Sequence, residues 1–156
     1  MTQVNLLPGD VILVEGTHIW DRLVEWATVS PYSHAALVAD GYLIEALENQ
    51  GVVQSEISKY YCSSSVAMRT GATEDQIGLA IRWAEGWIGK RYGWREALTA
   101  GVRDVLHVPL RAKMLTHLDC SGLVAASYAA ARYPLTRAIA PTPADLWASE
   151  LLREAQ

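Results

Sequence analysis

A thiol attacks a carbonyl carbon as the thiolate, and near neutral pH a free cysteine is mostly protonated. Of the two cysteines in the chain, Cys120 stands where that handicap is lessened. It follows Asp119, a helix-capping residue type, and precedes Ser121-Gly122-Leu123-Val124. This spacing predicts a helix that Asp119 caps, running through Ala131 and stopped near Pro134, with Cys120 in its first turn. The unpaired N–H groups and positive dipole end of that turn favour a thiolate. The same N–H groups could donate to the oxyanion formed when a carbonyl is attacked. Position alone leaves a plainer reading open, in which Cys120 is a small buried hydrophobe.

Nucleophilic chemistry at a thiol also needs a base, and all four histidines (His18, His34, His107 and His117) precede Cys120. His34 opens the apolar run His34–Ala39, which Asp40-Gly41 separates from Tyr42–Leu47. Two short apolar runs around Asp-Gly predict a β-hairpin, because both turn residues tolerate positive φ. If Ala39 and Tyr42 flank the turn, Glu45 pairs opposite Ala36, and His34 and Glu45 share one face as diagonal neighbours. A two-residue change of register would set them directly opposite. Either way a carboxylate could hold one imidazole nitrogen and free the other for the thiol. On spacing alone, a solvated edge carboxylate is the commoner fate for Glu45, and a satisfied, half-buried histidine is the ordinary reading of His34. His117, three residues before Cys120, decorates the approach to the helix. As a zinc pair with Cys120 it lacks partners, since zinc takes four ligands and no second pair at ligand spacing exists. No metal, cofactor or glycine-rich phosphate loop is expected. Cys62, in Tyr61-Cys62-Ser63, has no base or cap nearby and reads as structural or incidental.

The elements that must position these residues are legible around them. Pro8-Gly9-Asp10 marks a turn before a buried strand over 11–14. Ile19, Leu23, Trp26 and Ala27 recur at helical spacing until Ser30-Pro31. Gly51-Val52-Val53 extends the sheet, and 60–65 is polar loop. Thr73 and Gln76 form a capping box ahead of a stripe of Ile77, Ala80, Ile81, Ala84 and Trp87, with Gly89 as the stop. A second helix is expected over 95–106, and a last one opens at Thr142-Pro143. No repeat or linker interrupts 1–156, which predicts a single α+β domain with helices flanking a small antiparallel sheet.

Asp119-Cys120-Ser121-Gly122-Leu123-Val124 resembles the nucleophile motif of the NlpC-type, papain-like cysteine peptidases. Gly89-Lys90-Arg91-Tyr92-Gly93-Trp94 is similar to the Gly-x-x-Tyr-x-Trp stretch that precedes it there. Ordinary members place the histidine after the cysteine, and this chain does not. That departure resembles the circularly permuted, YiiX-like branch, in which the histidine strand comes first. Pro8–Ile12, Ser30-Pro31-Tyr32-Ser33-His34-Ala35 and Leu43-Ile44-Glu45-Ala46 resemble the corresponding segments of that branch. The resemblance implies a permuted papain-like fold with Cys120 as nucleophile, His34 as base and Glu45 as the orienting third member. It also implies a tyrosine, Tyr92, close to the nucleophile, and it sets Ser121 in the substrate and oxyanion region. The activity it implies is hydrolysis of an amide or ester through a thioester, with acyl transfer as a variant and peptidoglycan stem peptides as one substrate class.

Bulk composition narrows the partners. With 51% hydrophobic residues, six Trp and seven Tyr but no Phe, the chain is a globular one. A net charge of −4 with scattered basic residues argues against nucleic acid. No segment is apolar for long enough to span a bilayer, and the start carries no secretory pattern, so the default expectation is cytoplasmic. Delivery to the cell wall by a phage tail, lysis or secretion apparatus would reconcile that default with a wall substrate. The rival reading is a non-catalytic scaffold or phage-type assembly module that keeps the fold and uses Trp20, Trp26 and Trp147 at an interface.

Overall fold

In a computed structural model, residues 5–16, 30–90 and 119–156 are described. The expected helices over 18–27 and 95–106, together with His18, Tyr92, His107 and His117, lie outside them. Among the described residues six strands form one antiparallel sheet: β1 (Val11–Glu15), β2 (Tyr32–Val38), β3 (Tyr42–Leu47), β4 (Gly51–Glu56), β5 (Ser65–Thr70) and β6 (Leu152–Glu154), in the order β4-β3-β2-β1-β5-β6. The unbroken apolar run of β1 suits its central place, because both of its faces are covered. Val11 and Leu13 enter the main core beneath the helices, while Ile12 and Val14 join a smaller cluster with Ala36, Val38 and Leu43 on the other face.

The Asp40-Gly41 turn sets the register as expected. Leu37 pairs with Ile44 and Val38 with Leu43, and Gly41 takes φ of 85°, a left-handed conformation that costs glycine little. The β2–β3 pairing stops at Leu37 and Ile44, while β3 continues along β4 through Leu47. On its other side β2 carries a bulge: Val14 pairs with His34 and Glu15 with Tyr32, so Ser33 has no opposite number. The extra residue explains why Tyr32 shares the main core with Ala35 and Leu37, which a regular strand of period two would forbid.

Three helices are described: α1 (Glu74–Glu85), α2 (Cys120–Ala130) and α3 (Pro143–Trp147). The capping box expected at Thr73 is present, with the Thr73 hydroxyl accepting from the Gln76 N–H and Gln76 Oε1 accepting from the Thr73 N–H. The end of α1 differs from expectation, since Gly86 rather than Gly89 is its cap. The chain leaves the helix early because the Gly89 N–H donates to the Val52 carbonyl and the Val52 N–H to that of Lys90. Those bonds dock the segment after the helix onto β4. Asp119 caps α2, accepting from the Gly122 N–H at 2.7 Å. Thr142 and Asp145 form a capping box over Pro143 at the start of α3.

Helix α2 lies against α1, β2 and β3 and buries Leu123, Val124, Ala125 and Tyr128 in the main core. The Tyr128 hydroxyl reaches across to donate to the Gly9 carbonyl. Gly9 has φ of 90°, and a Cβ there would lie 2.7 Å from Ile77, so the turn before β1 requires glycine on both counts. Truncating a fully buried residue of this core such as Leu37 to alanine costs about 2–5 kcal/mol.

Candidate active site

The hairpin places His34 and Glu45 on one side, beyond the end of the β2–β3 pairing. The His34 Nε2–H donates to Glu45 Oε2 at 2.7 Å, the diagonal contact expected from the register. With Nε2 so engaged, Nδ1 is the ring nitrogen open to a second partner, and Cys120 lies near enough to the ring to raise its pKa. Two strands and a helix more than 70 residues further along the chain therefore bring sulfur, imidazole and carboxylate into one chain of contacts.

Glu45 is fully buried, whereas the His34 side chain keeps 20% of its surface exposed. A buried carboxylate is tolerated only when its lone pairs are met. Here Oε1 accepts from the Ser55 hydroxyl on β4 and from the Lys59 ammonium, and Oε2 accepts from His34 and from the Tyr60 hydroxyl at 2.6 Å. Lys59 and Tyr60 are adjacent on a single 3₁₀ turn, Ile57–Tyr60, that follows β4. Burial raises the carboxyl pKa, but the donors His34, Lys59, Ser55 and Tyr60 outweigh it and bring it down to about 2. At His34 burial disfavours the charged ring. Hydrogen bonds to Cys120 and Glu45, with the negative charge of both, outweigh it and raise the pKa to about 9. Tyr60 is driven well above the ordinary phenol value by burial and by Glu45, so it stays a donor. Its ring centre lies 5.9 Å from that of His34.

Cys120 is a free, half-buried thiol at the first position of α2. An α-helix leaves the N–H groups of its first turn without intrahelical partners, and the Asp119 carboxylate takes the one at Gly122. Ser121 is fully buried. Its hydroxyl lies 2.9 Å from the Pro141 carbonyl and 3.1 Å from Asp119 Oδ1, so its side chain ties the start of α2 to the segment before α3. What Ser121 can offer a substrate is its backbone. Tyr92 lies outside the described residues. Cys62 is free and exposed on a turn.

Ser55, Lys59 and Tyr60 escaped the sequence reading, which assigned no role to 55 or 59 and took 60–65 for polar loop. Their signal is indirect. A glutamate on an otherwise apolar strand must find donors, and a polar Ser-x-x-x-Lys-Tyr stretch one strand later supplies them.

No family model and no curated protein matches the chain. Among solved structures it is similar to one described as the metalloprotein yiiX from Escherichia coli O157:H7, with a TM-score of 0.69, 15% identity and 96% of each chain covered. The donor set at His34 and Glu45 does not fit a metal. The carboxylate's acceptor sites are filled by four donors, and among the described residues no group of three or more His, Cys, Asp or Glu could hold one. Nor, among those residues, is any helix long and apolar enough to cross a membrane. At this identity the likeness is one of fold: the chain shares the mixed α+β architecture of yiiX, built here on a six-stranded antiparallel sheet.

Proposed function

We propose that this chain is a cysteine hydrolase of circularly permuted, papain-like build, which cleaves an amide or ester through a thioester on Cys120. The observation that carries the reading is the His34 ring, bonded to the buried Glu45 carboxylate and electrostatically coupled to a thiol at a helix N-terminus. The order of the chain, with the histidine and glutamate strands before the cysteine helix, supports the permutation.

The thiol proton passes to the His34 ring, and the sulfur acts as thiolate. Cys120 Sγ attacks the substrate carbonyl, and the backbone N–H of Cys120 donates to the oxyanion. The His34 imidazolium then gives its proton to the departing amine or alcohol, leaving a thioester and a neutral ring. Water attacks the thioester as His34 takes its proton, and the acid leaves as the thiolate–imidazolium pair is restored. Glu45 holds the ring by Nε2 throughout, so Nδ1 faces the sulfur. Small peptides and acyl esters are the substrate class, with peptidoglycan stem-peptide fragments first among them.

Incubating the protein with peptidoglycan fragments and simple acyl esters, followed by mass spectrometry, tests the reading. An acyl group on Cys120 is expected, and Cys120→Ser should abolish turnover without unfolding the chain. Iodoacetamide near pH 6 should label Cys120 faster than free cysteine. Labelling no faster than that, with no adduct across the panel, would leave the scaffold role instead.

A further inference from the structure

Two of the four donors to Glu45 come from outside the hairpin and its neighbouring strand. Lys59 and Tyr60 are consecutive on the 3₁₀ turn and grip opposite oxygens of the same carboxylate, Lys59 at Oε1 and Tyr60 at Oε2. Each oxygen thus receives one ionisable nitrogen donor and one hydroxyl: Lys59 with Ser55, His34 with Tyr60. A carboxylate held at one point can rotate about its last bond, whereas one held at both oxygens from separate elements has a set plane. The turn is itself braced against the site. The Lys59 ammonium lies 5.1 Å from the Tyr60 ring centre, and that ring packs beside His34.

We propose that Lys59 and Tyr60 are positioning residues of this site, fixing Glu45 in the plane that keeps the proton on Nε2 of His34, with Lys59 also limiting how much of the carboxylate's charge the ring feels. The inference rests on the role given to His34 above. The titratable groups that the described elements turn toward the ring are Glu45 from β3, Lys59 and Tyr60 from the turn, and Cys120 from α2. Lys59 is the one permanent cation among them, and it sits across the carboxylate from the imidazole. Without it Glu45 would act on the ring with its whole charge. His34 would then bind its proton too tightly to pass it to a leaving group.

The test is a pH titration of the His34 ring by nuclear magnetic resonance in the whole chain carrying Cys120→Ser, where no turnover intervenes. Lys59→Met should raise the ring's midpoint by roughly 0.5–2 pH units, the span for unit charges about 6 Å apart between bulk-water and protein-surface screening. Lys59→Arg should restore the parent midpoint. Tyr60→Phe should lower the share of the Nε2–H tautomer in the neutral ring. A midpoint unmoved by Lys59→Met would overturn the role of Lys59, and an unchanged tautomer ratio in Tyr60→Phe that of Tyr60. Iodoacetamide labelling of the parent reads the nucleophile separately. Slow labelling with a shifted midpoint would remove the hydrolase and keep the positioning; fast labelling with an unmoved midpoint would do the reverse.

Discussion

Among the described residues two carboxylates are buried, and they are satisfied in different ways. Asp10, just before β1, is 2% exposed and meets Arg69 of β5 through two parallel bonds, Nε to Oδ1 at 3.0 Å and Nη2 to Oδ2 at 2.8 Å. Its Oδ2 also accepts the Leu7 N–H, and Arg69 reaches on to the Asn5 carbonyl. Every partner there is a fixed donor, and the planar guanidinium matches the carboxylate as a rigid fork. Glu45 has four separate partners, one of which is a ring that titrates and leads on to a sulfur. The first arrangement holds the chain leading into β1 against β5. The second carries its charge onward through a group able to move a proton.

The contrast predicts opposite phenotypes. Glu45→Gln should lower turnover about 10²–10⁴-fold, because an amide neither fixes the ring's proton nor stabilises the imidazolium. Asp10→Asn should leave turnover per folded molecule unchanged. A comparable loss in both would erase the distinction. Asp10→Ala leaves the Leu7 N–H and Arg69 without their carboxylate and should cost about 1–3 kcal/mol of stability in urea unfolding, again with turnover per folded molecule intact.

The pH dependence of stability separates the two sites further. Glu45 has its pKa depressed from 4.5 to about 2, so its contribution is full above pH 4.5 and is lost as pH falls toward 2. His34 is raised from 6.5 to about 9, so its contribution is full below pH 6.5 and is lost as pH climbs through 9. Urea midpoints should therefore form a plateau between about pH 4.5 and 6.5 and fall on either side, each limb worth roughly 3 kcal/mol. Both limbs share the His34–Glu45 contact and are not summed. Glu45→Gln should abolish the acid limb and shrink the alkaline one, whose remainder comes from Cys120, whereas Asp10→Asn should leave both in place.

Local chemistry explains how much of this was legible in advance. The hairpin register followed from two residues, Asp40 and Gly41, and from the alternation around them, so the His34–Glu45 contact could be placed before any coordinates. Asp119, Thr73 and Thr142 mark helix starts through bonds spanning three residues, which sequence displays directly. What stayed hidden depends on distant partners. The end of α1 is set by Val52, and Asp10 finds Arg69 59 residues away. Strand β5 alternates too little to declare itself, and β6 is three residues whose place is given by β5. The turn bearing Lys59 and Tyr60 has no periodicity of its own. It is held where Glu45 needs donors.

The unpaired Ser33 gives β2 an unusual tolerance. Removing one residue from a central strand ordinarily reverses the inside and outside of everything on one side of the cut. Here excision of Ser33 would restore strict alternation, leaving Tyr32 still on the face of Ala35 and Leu37 and the pairing of His34 with Val14 unchanged. The lesion would fall on the local twist alone, and so on the angle at which the imidazole is presented. A shortened chain that folds well but reacts poorly would show that this strand carries its surplus residue for aim, at no need of its core.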